Sequence, residues 1–164
     1  MAKTVGTPAL TALTRAKVPH TVHSYDHDAR ASDGVGYGME AALALGVEPA
    51  RVLKTLLVEL DGARLGVGVV PVDAQLDLKA VAAALGAKKA GMADPAVAER
   101  VTGYVVGGIS PLGQKKQLPT VVDAEAATHP SVLVSAGRRG VDVELDPADL
   151  VRLTRAVLAP VARR

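Results

Sequence analysis

The stretch RVLKTLLVELDGARLGVGVVP, residues 51–71, restricts the fold more than any other part of the chain. Two β-rich runs flank Asp61-Gly62. Both residues accept positive φ, and a two-residue type I′ turn needs that at each central position. The segment therefore predicts an antiparallel hairpin. That rules out an all-helical fold and disfavours a doubly wound parallel sheet.

Helix and strand signals surround the hairpin. In TPALTALTRAKV, Thr7 suits an N-cap and Pro8 the first helical position. Leu10 and Leu13 follow at helical spacing, and Pro19 ends the segment. MEAALALG, residues 39–46, predicts a second helix closed by Gly46. LDLKAVAAALG, residues 76–86, predicts a third, ending at Gly86. Asp94-Pro95 and Asp146-Pro147 start two more by the same cap-then-proline logic. HTVHSYDHD, residues 20–28, reads as a short strand running into polar residues. TGYVV (102–106), LPTVVD (118–123), SVLVSA (131–136) and VDVEL (141–145) read as further strands, with Arg138-Arg139-Gly140 in the last turn. ARASDGVGYG, residues 29–38, reads as a mobile loop. The sum is six or seven strands and five helices. We expect an α+β fold over one domain, 1–164, with a mixed, mostly antiparallel sheet or partial barrel.

Composition narrows the function. The chain has no Phe, no Trp and three Tyr, so the core must be built from Val, Leu, Ala and Ile. It offers no aromatic platform for stacking many bases. The absence of Cys removes disulfides, thiolate metal sites and a cysteine nucleophile together. No apolar leader and no run of ~18 apolar residues is present, so we expect a cytoplasmic protein away from membranes. The net charge is only +2. Basic residues nevertheless come in pairs, including Lys115-Lys116 and Arg138-Arg139. These are either solvated turns or, if they converge, a phosphate-attracting surface.

Three features invite a chemical reading. Lys54 shares a strand face with Val52, Leu56 and Val58. An ammonium among apolar neighbours is either a snorkelling stem at a sheet edge or an anion-holding group at a pocket rim. His20, His23 and His27 would share a helical face, but Pro19, Thr21 and Val22 favour a strand with His23, Tyr25 and His27 on one side and His20 on the other, so no metal is expected. Tyr25 either lines a pocket or packs on the surface. YVVGGISPLGQKK, residues 104–116, is the third feature. Gly107 and Gly108 allow close backbone approach and can present bare N–H groups to an oxyanion. The competing reading is an ordinary tight turn. Neither Ser110 nor Ser135 sits in the Gly-x-Ser-x-Gly setting of a serine hydrolase, so a covalent serine mechanism is not expected.

Taken together, these segments resemble the YbaK/EbsC family, free-standing relatives of the editing domain inserted in bacterial prolyl-tRNA synthetases. The likeness runs through TPAL, YDHD, RVLKTLLVE, MAD, TGYVVGGISPLGQKK and SAGRRGVDVEL. It implies an aminoacyl-tRNA deacylase with no cofactor and no metal, whose substrate is mischarged tRNA(Pro) and whose further partner is prolyl-tRNA synthetase. The implied amino acid is cysteine, with alanine or another small residue as the alternative. By position, Lys54 matches the family's essential lysine and Gly107 the glycine whose backbone binds the substrate carbonyl. Gly108, Ser110 and Pro111 match the shaping of that loop for substrate. Tyr25 and Asp142 match pocket residues. Lys115, Lys116, Arg138 and Arg139 are then expected to meet tRNA phosphates. The implied mechanism is substrate-assisted: the cysteine thiol attacks its own ester. A non-catalytic module that binds acylated tRNA ends or a synthetase, and a promiscuous small-ester hydrolase, are the rival readings. The segment 29–39 is longer and richer in glycine than the family pattern, which leaves its role and the amino-acid preference open.

Overall fold

The computed structural model describes residues 6–26 and 37–164. The expected loop at 29–38 falls almost entirely outside these residues, as does His27. Helix α1, Pro8–Arg15, begins as predicted: the Thr7 hydroxyl oxygen accepts from Leu10 N–H at 3.2 Å. Strand β1, Thr21–Ser24, leads to α2, Tyr37–Leu45. The hairpin comprises β2, Leu53–Leu60, and β3, Arg64–Pro71. Asp61 and Gly62 both have positive φ, 54° and 66°, and Ala63 N–H donates to Leu60 O at 3.1 Å. The type I′ geometry holds, but Leu60 pairs with Arg64, so the connection is three residues long rather than two. Asp61 Oδ1 also accepts the N–H groups of Lys88 and Lys89, which ties the turn to the following segment.

The remaining elements are β4 (Gln75–Leu76), α3 (Leu78–Ala84), β5 (Ala90–Met92), α4 (Pro95–Thr102), β6 (Thr120–Asp123), β7 (Val132–Arg138), β8 (Val141–Leu145), α5 (Pro147–Thr154), β9 (Val157–Ala159) and β10 (Ala162–Arg163). Asp94 and Asp146 cap α4 and α5 through Ala96 and Ala148 N–H, each at 2.8 Å. The strands fall into three sheets: β5-β2-β3-β6-β9, β1-β8-β7 and the pair β4-β10. Among the described strand pairs, only β3-β6 and β6-β9 are parallel. The fold is thus mixed and mostly antiparallel, as expected, but with more and shorter strands than the periodicity shows.

One expected strand is absent. Residues 102–106 are the end of α4 and a turn. The Thr102 hydroxyl donates to Ala98 O and accepts from Tyr104 N–H, and Gly103 closes the helix with φ +82°. Tyr104 is buried and donates its hydroxyl to Leu112 O at 2.6 Å. Local capping outweighs the β-branched run here.

The five-stranded sheet carries a core on each face. Leu53, Leu57, Val67, Val69 and Val122 pack with α1, α4, α5, β7 and β8. Val58, Leu60, Val70 and Val121 pack with Val81 and Val161 on the other side. Buried Asp123 fastens the C-terminal end. Its Oδ1 accepts Val161 and Ala162 N–H at 2.9 and 3.0 Å, and its Oδ2 accepts Glu125 N–H at 3.2 Å. Asp123→Ala should cost roughly 2–4 kcal/mol, because it strands donors to a buried charged acceptor. Urea denaturation with an unchanged m-value would measure that loss.

Candidate active site

The middle of β2 has an unusual edge. Strand β5 pairs only with Val58–Leu60. At the other end, Val52 bridges Leu133 of β7. Between these two neighbours the edge opens at Thr55. Ala93 N–H still reaches Leu57 O at 3.0 Å. By strand alternation, the peptide groups of Thr55 point the same way as those of Leu57. A cavity of about 300 Å³ occupies the gap.

The cavity unites four of the eleven sequence candidates. Tyr25, Lys54, Gly107 and Asp142 all line it. The two features on which the functional reading depends, Lys54 and the diglycine turn, therefore share one space. Lys54 projects from the β2 face that carries Val52 and Leu56. Burial lowers its pKa, and the charge of Asp73 partly opposes that shift. Tyr25 N–H is fixed to Gly140 O at 2.9 Å. Burial, with Asp142 next in weight, pushes its hydroxyl pKa up to about 12, so it remains a neutral donor.

Asp142 on β8 is buried, and desolvation lifts its pKa to about 7 against an opposing pull from His23. The consequence for stability has a definite sign. The native state holds this proton more tightly than the unfolded chain does. The stabilisation is therefore complete below the ordinary carboxyl range and is lost as pH rises toward 7. Asp142→Asn should remove this dependence. The gap in melting temperature between variant and native protein should widen in the variant's favour from pH 5 to pH 8.

Sequence reasoning missed several cavity residues. Ser135 lines the cavity because β7-β8 register sets it opposite Asp142. Its Oγ accepts Gly137 N–H at 3.1 Å. Thr55 lines it too, and its buried hydroxyl has no hydrogen-bond partner among the described residues. Ala93, Ala98, Val106 and Ile109 supply apolar wall.

Other candidates stand behind the cavity or outside it. Gly108 is buried under the 138–139 backbone. Ser110 is fully buried, and its Oγ accepts Leu112 N–H at 3.2 Å. Pro111 is buried beside it. These three hold the loop in shape. Lys115, Lys116, Arg138 and Arg139 are exposed. His20 and His23 separate as the strand reading requires, and His27 lies outside the described residues. His20 Nδ1 lies 2.8 Å from Val18 O, and His23 Nε2 lies 2.8 Å from Glu144 Oε1. Glu144 also holds Arg51 at 3.1 Å and accepts from the Ser131 hydroxyl. The Ser131 and His23 hydrogen bonds hold its pKa down. Among the described residues, no group of three or more His, Asp or Glu is placed to bind a metal. None of the described helices is long and apolar enough to cross a membrane.

Comparison with known proteins decides the family. The aminoacyl-tRNA editing domain matches residues 37–153, which include most of the cavity lining. The chain belongs to the aminoacyl-tRNA editing domain family. Within this YbaK/EbsC-like group it is 40% identical, over 123 residues and 75% of both chains, to EbsC of Enterococcus faecalis, a protein named as a candidate Cys-tRNA(Pro)/Cys-tRNA(Cys) deacylase. Two crystal structures share its fold. A hypothetical protein superposes with TM-score 0.84 at 25% identity, covering 96% of this chain and 100% of the other. A candidate trans-editing enzyme for prolyl-tRNA synthetase gives TM-score 0.82 at 24% identity, covering 98% and 100%.

Proposed function

We propose that this editing-domain protein is a cytoplasmic aminoacyl-tRNA deacylase that clears cysteine from mischarged tRNA(Pro). The carrying observation is the convergence of Lys54 and the Gly107 backbone on one cavity. The 40% identity to a protein named for Cys-tRNA(Pro) and Cys-tRNA(Cys) deacylation supports the substrate class. No side chain among the lining residues sits in a nucleophile-base-orienter arrangement of the serine hydrolase type. The cavity therefore acts by placement and charge.

In this reading the ester carbonyl sits against Gly107 N–H. Lys54 holds the phosphate or ribose oxygens of the terminal adenosine. The cysteine thiol attacks its own acyl carbon. A sulfur–carbon bond forms, the ester carbon–oxygen bond breaks, and the thiol proton ends on the released ribose oxygen. The products are a cyclic thioester and intact tRNA. The exposed bases Lys115, Lys116 and Arg138 meet the acceptor-stem backbone, whose A-form shape and charge require no base readout. Selection of tRNA(Pro) is then shared with prolyl-tRNA synthetase as a partner.

A panel of tRNAs charged with Cys, Ala, Ser or Pro tests the proposal. Cys-tRNA(Pro) should lose its acyl group and Pro-tRNA(Pro) should keep it. Binding of charged tRNA without release of any amino acid would show a recognition module instead.

A further inference from the structure

We propose that Arg139 is a positioning residue for the oxyanion-binding peptide, rather than primarily a contact to tRNA. The proposal deepens the deacylase reading of the same cavity and rests on it. Arg139 lies in the turn between β7 and β8, over thirty residues from the diglycine loop. Its Nε and Nη2 both donate to Val106 O, at 2.9 and 2.5 Å. That carbonyl belongs to the same peptide unit as Gly107 N–H. The described chain contains no cis peptide bond. In a trans unit the C=O and N–H point in opposite directions. A guanidinium seated on the carbonyl therefore fixes the direction of the N–H at the other end of the plane, on the cavity-lining residue Gly107.

The neighbouring N–H groups are committed elsewhere. Val106 N–H donates to Glu99 Oε2 at 2.7 Å, and Gly108 N–H donates to Val105 O at 2.9 Å. Val106 is thus held at its N–H by an α4 carboxylate and at its C=O by the Arg139 fork. Gly107, at φ +90°, sits between these anchored neighbours. The forked bond adds an electronic effect. Positive charge at a carbonyl oxygen polarises the amide, and its N–H becomes a better donor to a developing oxyanion. Lysine at position 139 could supply the charge but not the planar two-donor fit.

Two readouts separate this role from a phosphate contact or a merely structural one. Arg139→Met should lower kcat for Cys-tRNA(Pro) deacylation by about 10- to 100-fold, as loss of a correctly aimed group does. KM should stay within about twofold, and the salt dependence of binding should be unchanged. In the ligand-free protein, the Gly107 amide proton should move upfield in a 1H–15N spectrum as its carbonyl loses the cation. Arg139→Lys covers the case in which the methionine variant does not fold, and should fall between the two in both readouts. A raised KM with intact kcat and a salt slope smaller by about 1 would make Arg139 a phosphate contact and overturn the proposal. An unshifted Gly107 amide would overturn it as well. The amide measurement needs no substrate. If the native protein deacylates nothing while the shift is seen, the deacylase reading fails and the clamp stands.

Discussion

Lys54→Ala should lower single-turnover deacylation of Cys-tRNA(Pro) by about two to three orders of magnitude, the range set by removing one preorganised charge-stabilising group. The protein should remain folded. Lys54 lies on a half-buried strand face where burial depresses its pKa, so its ammonium is worse off in the native protein than in water. Removing it relieves that penalty. A variant that retains the stem volume, Lys54→Met, should therefore melt no lower than the native protein while being equally inactive. Measuring rate and melting temperature together makes the test strict. Loss of activity with a lowered melting point would mean that Lys54 supports the sheet. An unchanged rate would remove the lysine from the mechanism.

Gly108→Ala should be the second large effect, through a different physical route. A Cβ at Gly108 would lie 2.9 Å from Arg139 N and 3.1 Å from Arg138 C. Both are backbone atoms, so no rotamer change relieves the clash. The diglycine loop and the β7-β8 turn must move apart, and overpacking of this kind costs roughly 1–3 kcal/mol. The same movement pulls Val106 O away from the Arg139 guanidinium. We expect a lower melting temperature and a fall in kcat larger than the stability loss explains at a temperature where the variant is fully folded. Gly107→Ala offers a contrast. Its φ of +90° makes any side chain strained wherever the Cβ points, at about 1–3 kcal/mol. A Gly108→Ala enzyme with native kcat would show that the contact between the two loops is slack.

What could be read from the residues was what local geometry determines. The hairpin turn was legible because Asp61-Gly62 carries its own dihedral preference. The helix starts at Thr7-Pro8, Asp94-Pro95 and Asp146-Pro147 were legible because a cap and a proline act within one turn. The strand reading of residues 102–106 failed because Gly103 and the Thr102 hydroxyl end a helix there, and burial of Tyr104 completes the turn. β9 and β10, of three and two residues, are too short to show a period. Ser135 was set aside for want of the hydrolase motif, and its place opposite Asp142 rests on a cross-strand register, shifted between Ser135 and Arg138, that no local pattern shows. The link from Arg139 to Val106 spans two distant loops, so no local pattern encodes it. Lys54, by contrast, could be singled out because a cation in an apolar alternation is conspicuous in any strand.

The Val52–Leu133 bridge joins the two larger sheets at the rim of the cavity. A guest lodged there touches residues from both, and so bridges a seam that the shared core of Leu53, Val134 and Val143 already closes. Contacts made to both sheets at once would raise the melting temperature of the loaded protein above that of the protein alone.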